Sequence, residues 1–259
     1  SMAFRVRDAK QAYKRALEKG AQAVPSDAGP MELNIPAIEG IGGSRLYLVD
    51  RYGDHTIYDV DFVPYTDEAD KDVTSVGFLA IDHLTHNVYQ GRMSYWADFY
   101  EKIFNFRELK DFDIDGKKTG LTSQAMTSPC GKIHIPLNES KDGKSQIVEY
   151  LVEYRGEGIQ HVAFNTHDIY KTVDQLRAND VSLQDTLDAY YDLIDSRIDK
   201  HEENVEELRK RRILIDGNEK EGILLQIFTN TVIGPIFYEI IQRKGNNGFG
   251  EGNFKALFE

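Results

Sequence analysis

The chain has a single cysteine, Cys130, among its 259 residues. One thiol forms no intrachain disulfide, so stability must come from a packed core, and a reducing cytoplasm suits such a chain. Long apolar runs are also missing. No stretch of 18 consecutive apolar residues occurs, which argues against a spanning helix, and the opening residues lack the apolar core of a secretory signal. Positive charge is in deficit, with 31 Lys and Arg against 43 Asp and Glu and a net charge of -12. That balance speaks against nucleic acid or an anionic membrane surface as the main partner and reads as a solvated acidic exterior. Apolar side chains are plentiful, at 41%. That is enough for one large domain or two small ones.

An internal repeat organises what is there. Residues 2–20 read MAFRVRDAKQAYKRALEKG and residues 162–180 read VAFNTHDIYKTVDQLRAND. Ala3, Phe4 and Asp8 match Ala163, Phe164 and Asp168 at a constant offset of 160. In both copies a short strand runs into an Asp suited to N-capping, then an amphipathic helix. The apolar faces are Ala9, Tyr13, Ala16 and Ile169, Val173, Leu176. Between them, VGFLAIDHLTHNVY (76–89) reads as a strand, and Trp96, Phe99, Tyr100 and Ile103 follow at i, i+3, i+4, i+7, one helical face.

Strand-like segments follow each helix. They are 31–35, 45–50 and 56–63 after the first; 106–114, 119–126 and 131–137 after the second; 212–216, 223–229 and 235–243 after the third. The predicted unit is strand, helix, three strands (βαβββ), an α+β pattern repeated three times. Residues 1–63 then form an N-terminal domain, 64–75 a polar linker, and 76–259 a domain with two modules. Such units pair, so the first predicts a partner unit ahead of residue 1. Residues 185–210 are an insertion, predicted as surface helices with an apolar face of Leu187, Tyr190, Tyr191, Ile194 and Ile198.

Of the seven histidines, His83 and His161 stand out. Each lies in an apolar strand at the same place in its module, just before the helix, so repeat symmetry brings both to one cavity. His86 falls three residues beyond His83, on the other face of the strand, and His167 sits exposed at a strand–helix junction. Glu239 interrupts the apolar run Ile236, Phe237, Tyr238, Ile240, Ile241. A carboxylate buried there needs compensation. An ion pair with Arg243 or Lys244 would supply it, and so would a metal. Two histidines and a carboxylate on three strands make a facial triad with open positions, a set suited to Fe(II) holding a bidentate substrate together with O2. Ser123, Asn138, Gln146, Gln160 and Gln226, all read as strand residues facing the same interior, can orient a ligand. Phe228, Phe249, Phe254 and Phe258 can form an aromatic wall or simply core. The Gly-rich then helical tail NNGFGEGNFKALFE suits a lid or a plain terminus.

At IDHLTHNVYQGRM, GEGIQHVAF, FYEIIQRKG and GFGEGNFKALFE, and again at MAFRV and GPMELNIPAIEGIGG, the chain closely resembles the 4-hydroxyphenylpyruvate dioxygenase family of the vicinal-oxygen-chelate superfamily. The resemblance spans the whole chain. It implies paired βαβββ modules forming open half-barrels of the glyoxalase-like fold. It places the iron ligands on His83, His161 and Glu239, and catalytic or substrate-orienting polar roles on Ser123, Asn138, Gln146, Gln160 and Gln226. The pocket falls on Phe228, Phe249, Asn253, Phe254 and Phe258. Ser1 occupies the position matching His161 in the first repeat, so the N-terminal domain is implied to be structural.

The implied reaction converts 4-hydroxyphenylpyruvate and O2 to homogentisate and CO2 in tyrosine and phenylalanine catabolism, with Fe(II) as cofactor. The substrate brings its own 2-oxo acid, so 2-oxoglutarate is not needed. The resemblance further implies a cytoplasmic homo-oligomer, dimer or tetramer, with neither nucleic-acid nor membrane partner. Two alternatives share the fold: 4-hydroxymandelate synthesis from the same substrates, which an aromatic at Phe254 disfavours, and a metal-free binding module.

Overall fold

Strand β1 (Met2–Arg5) leads to Asp8, whose carboxylate accepts the Gln11 amide proton at 2.8 Å and starts helix α1 (Ala9–Glu18). The side-chain oxygen satisfies one of the amides that a helix start leaves without a partner. The computed structural model describes residues 1–26, 28–63, 75–115 and 120–258. They pack as two compact units, Ser1–Thr74 with Asp98–Phe106, and Ser75–Ala97 with Arg107–Glu259.

In the first unit, β2 (Ala37–Glu39) and β3 (Arg45–Val49) complete a three-stranded sheet of order β1-β3-β2. Ala16, Ile38, Leu46 and Leu48 are buried. The Phe4 ring packs against Phe104 and Phe106, with centroids 5.1 and 5.8 Å apart. Two strands expected here are not strands. Residues 31–35 are irregular, and 56–63 contain the helical turn α2 (Tyr58–Asp61). The cause is local: the Thr56 amide and hydroxyl both donate to the Asp59 carboxylate, at 2.6 and 2.9 Å. A Thr three residues ahead of an acid starts a helix rather than an extended run. The predicted linker, 64–75, lies outside the described residues except at Ser75.

The second unit opens with β4 (Phe78–Val88). Helix α3 (Met93–Phe104) follows and divides between the units at Ala97 and Asp98; Trp96, Tyr100 and Ile103 are buried, as their spacing predicts. Next come β5 (Arg107–Asp115), β6 (Gly120–Thr127) and β7 (His134–Ser140), then α4 (Gln146–Tyr154). A second module repeats the plan. It has β8 (Gly158–Thr166), then α5 (Ile169–Ala178) capped by Asp168, then the inserted α6 (Asp188–Asp192), α7 (Ile194–Arg197) and α8 (Val205–Arg211). It ends with β9 (Leu214–Asn218), β10 (Gly222–Phe228) and β11 (Phe237–Lys244), followed by α9 (Glu251–Phe258).

All eight strands form one curled, half-barrel sheet of order β5-β6-β7-β4-β8-β11-β10-β9. Each module pairs its first strand parallel with its last, β4 with β7 and β8 with β11. The modules join where β4 meets β8 antiparallel. Apolar residues occupy both faces of β10 because both faces are covered. Leu225 and Ile227 join Ile215 and Ile240 in a core with Ile169, Val173 and Leu176 of α5. Tyr190, Tyr191, Ile194 and Ile198 of the insertion are buried in that same core, while Leu187 is exposed. The alternate residues Leu224, Gln226 and Phe228 point the opposite way.

Candidate metal centre

The three ligand candidates sit on three adjacent strands, His83 on β4, His161 on β8 and Glu239 on β11. Register brings them together. His83 and Glu239 are each paired with Ala163, and His161 lies two residues before Ala163 on the same face. His83 Nε2 and His161 Nε2 each lie 3.2 Å from Glu239 Oε2. One ligand atom from each of the three falls within 4.8 Å of the other two. All three residues are buried, Glu239 to 1% exposure.

Each imidazole is held from behind. His83 Nδ1 lies 2.7 Å from Asp82 Oδ1, and His161 Nδ1 lies 3.1 Å from Gln160 Oε1. Carboxylate and amide oxygens only accept here, so each Nδ1 carries a proton and each Nε2 is the nitrogen that faces Glu239. Asp82 has a second partner, a two-pronged bond from Arg243 Nε and Nη2 at 2.8 and 2.7 Å. The ion pair that could have compensated Glu239 is therefore formed elsewhere: Arg243 serves Asp82, and Lys244 bonds Glu203. Glu239 Oε1 has no hydrogen-bond partner. A buried carboxylate oxygen in that state is costly in an all-protein site. Two imidazole nitrogens and a carboxylate with one oxygen unspent are a donor set that fits a divalent transition metal.

The electrostatics follow from the partners. Burial works against charge on His83, but Glu239 and the hydrogen-bonded Asp82 outweigh it and raise its pKa to about 9. Burial pushes His161 down, Glu239 offsets this only in part, and the charge on His83 lowers it further. Glu239 is buried too, yet His83 and His161 hold it at about 2. His86 points away from this site, as predicted, and burial drops its pKa to about 3.

His83, His161 and Glu239 line a cavity of about 360 Å³. Ser123, Asn138, Gln146, Gln160, Gln226, Phe228, Phe249, Asn253 and Phe254 all line it. The side chain of Phe258 lies outside the described residues. Gln146 arrives by a different element than expected. It is the first residue of α4, where Ile147, Tyr150 and Leu151 are buried at i, i+3, i+4 spacing and Ser145 takes the N-cap position. Those three residues mark a helix face that a strand reading of KSQIVEY overlooks. Sequence reasoning also misses Phe112, Leu121, Pro136, Leu214 and Phe237 in the wall, and Arg212, Asp185 and Glu251. Strand alternation would have found Phe237, two residues before Glu239, and cross-strand pairing Phe112, in register with Ser123.

Two details tighten the cavity. Gly250 has φ of +83°, and a Cβ there would lie 2.1 Å from Gln226 Oε1. Only glycine fits so close a turn without strain. Asn253 Oδ1 accepts from Tyr190 Oη at 2.6 Å and Arg197 Nη2 at 3.3 Å, so the insertion fixes a cavity residue. Gln226 Oε1 and Asn253 Nδ2 keep no partner. Beyond Glu239, these two atoms offer an unspent acceptor and an unspent donor to a polar ligand.

Family comparisons agree along the length of the chain. Residues 1–63 match the hydroxyphenylpyruvate dioxygenase N-terminal model, and residues 80–194 match the glyoxalase/bleomycin resistance protein/dioxygenase superfamily. A protein named hemolysin VllY from Vibrio vulnificus is 63% identical, over 100% of this chain and 73% of its own length. The 4-hydroxyphenylpyruvate dioxygenase of Pseudomonas aeruginosa is 61% identical, over 100% of this chain and 72% of its own. Among solved structures, a mutant 4-hydroxymandelate synthase from Streptomyces coelicolor superposes with a TM-score of 0.82 at 29% identity, covering 99% of this chain and 74% of that one. With more than 60% of positions shared along its whole length with an enzyme of that name, the chain belongs to the 4-hydroxyphenylpyruvate dioxygenase family.

Proposed function

We propose that this chain converts 4-hydroxyphenylpyruvate and O2 to homogentisate and CO2, with Fe(II) held by His83, His161 and Glu239. The observation that carries the reading is the convergence of those three side chains, with both imidazoles braced from behind, in the lining of a cavity that amides and phenylalanines share. When bound, the metal supplies the activation of O2 beside the chelated 2-oxo acid. The chain's own residues do the rest. Ser123, Asn138, Gln146, Gln160 and Gln226 orient the substrate through hydrogen bonds, with Gln226 Oε1 and Asn253 Nδ2 still unspent for that purpose. Phe228, Phe249 and Phe254 present an apolar wall that keeps water from the reacting carbon atoms; Phe258 is assigned to the same wall on sequence grounds. Asp82 and Gln160 keep the Nδ1 protons in place, so that both Nε2 atoms serve as ligands.

The reading extends to a cytoplasmic homo-oligomer acting in tyrosine and phenylalanine catabolism, without nucleic-acid or membrane partner. Among the described residues no helix is long and apolar enough to cross a membrane. Residues 1–63 serve as a structural domain and 76–259 as the catalytic one. The test is O2 uptake by Fe(II)-loaded protein on adding 4-hydroxyphenylpyruvate, with the product identified by chromatography. Homogentisate is the expected product. 4-Hydroxymandelate would move the chain to the activity of its structural neighbour, and failure to bind Fe(II) would favour a metal-free binding module.

A further inference from the structure

Arg243 stands four residues past Glu239 on β11, on the same face, yet its guanidinium is committed to other groups. Nε and Nη2 grip both oxygens of Asp82 at 2.8 and 2.7 Å. The Asp82 Oδ1 so gripped is also the one that accepts from His83 Nδ1. Arg243 Nη1 reaches the other way and donates to the carbonyls of Asn246 and Gly248, at 3.1 and 2.7 Å. Those carbonyls belong to the turn that ends in Phe249. The Phe249 ring meets the guanidinium at 5.5 Å and the His83 ring edge-on at 5.1 Å. The contacts therefore close a loop: His83, Asp82, Arg243, the 246–248 turn, Phe249, and His83 again. Alternation along β4 would send Asp82 away from His83. The β4–β8 register shifts between Ile81 and His83, and the two neighbours converge.

We propose that Asp82 and Arg243 are a positioning pair: one ion pair sets the ring of His83 and the turn carrying Phe249 together, so that metal-ligand geometry and the aromatic wall are coupled. The inference rests on the reading of His83 as a metal ligand. A lysine cannot replace Arg243, because a single nitrogen cannot span two carboxylate oxygens and two carbonyls in fixed directions.

The test uses the full chain with Co(II) as probe, since its visible band reports ligand geometry. Co(II) affinity and hydrogen exchange of the 246–253 amides are measured in D82N and R243K. Both variants are expected to bind Co(II) about 10–100-fold more weakly, the range for outer partners of metal ligands. Both are also expected to exchange faster across 246–253. D82N is decisive, because Asp82 reaches the Asn246 and Gly248 carbonyls through Arg243. Unchanged exchange there in D82N, or wild-type Co(II) affinity in R243K, would overturn the coupling. If R243K does not fold, D82N, which changes a single atom, decides on both readouts. Wild-type protein that binds no Co(II) would overturn the metal reading itself, a result distinct from variants that match a metal-binding parent.

Discussion

His83 and Glu239 lie two strands apart, yet Nε2 of one and Oε2 of the other meet at 3.2 Å, because both are in register with Ala163 on the strand between them. Ala163 is fully buried. Its single methyl group fills the position that the two ligand candidates flank. Ala163→Val adds two methyl groups there and is expected to cost about 1–3 kcal/mol through overpacking and to weaken metal binding. A urea titration and a metal titration of the same variant check both. Unchanged values in both would show that the register does not set the ligand spacing.

His83→Ala removes one ligand and leaves the Asp82 and Glu239 carboxylates without their shared partner. Iron content and turnover are expected to fall together, with metal affinity down by more than the roughly 10–100-fold typical of outer partners. Metal analysis of the dialysed protein, set against O2 uptake, measures this. Full iron with near-normal turnover would sink the triad.

Gly250→Ala tests the cavity rather than the metal. The positive φ and the 2.1 Å approach to Gln226 Oε1 leave no space for a methyl group. The substitution is expected to displace Gln226, weakening substrate binding about tenfold or more while metal content stays at the wild-type level. Substrate affinity in the loaded protein, measured without O2, separates the two.

His86 sets a pH dependence of stability. Its folded pKa is lowered to about 3 by burial, against about 6.5 for an exposed histidine. The unfolded chain therefore takes up the proton first. The neutral side chain's contribution is complete above pH 6.5 and is lost as pH falls from there toward 3, at up to about 1.4 kcal/mol per pH unit. His86→Gln, which does not titrate, is expected to flatten that part of the profile. Urea midpoints of both proteins between pH 7.5 and 5 give the difference. Parallel profiles would refute the assignment.

Much of this molecule is legible along the chain. The Asp8 and Asp168 caps, the Trp96–Ile103 helical face and the triplets of strands in the second and third repeats need only local periodicity and capping chemistry. His83, His161 and Glu239 are legible because polar groups inside apolar strands need a reason, and the repeat places two of them at equivalent positions. The first unit is read less well. Thr56 and Asp59 bond to each other and turn a strand-like segment into a helical turn. In KSQIVEYLVEY, a β-branched start conceals a helix face that declares itself only three and four residues later.

By itself the sequence determined the elements, their repeat, and which side chains needed compensation once buried. These depend on neighbours a few residues apart. The tertiary structure decided where the compensation comes from. Arg243 is the basic residue nearest to Glu239 in sequence, but the register of β4 against β8 delivers Asp82 to it from 161 residues away. Glu239 is left to the two histidines, and Asn253 to Tyr190 and Arg197 of the insertion. Strand register is a long-range property, fixed by the packing of whole faces, and no local pattern of residues encodes which partner arrives.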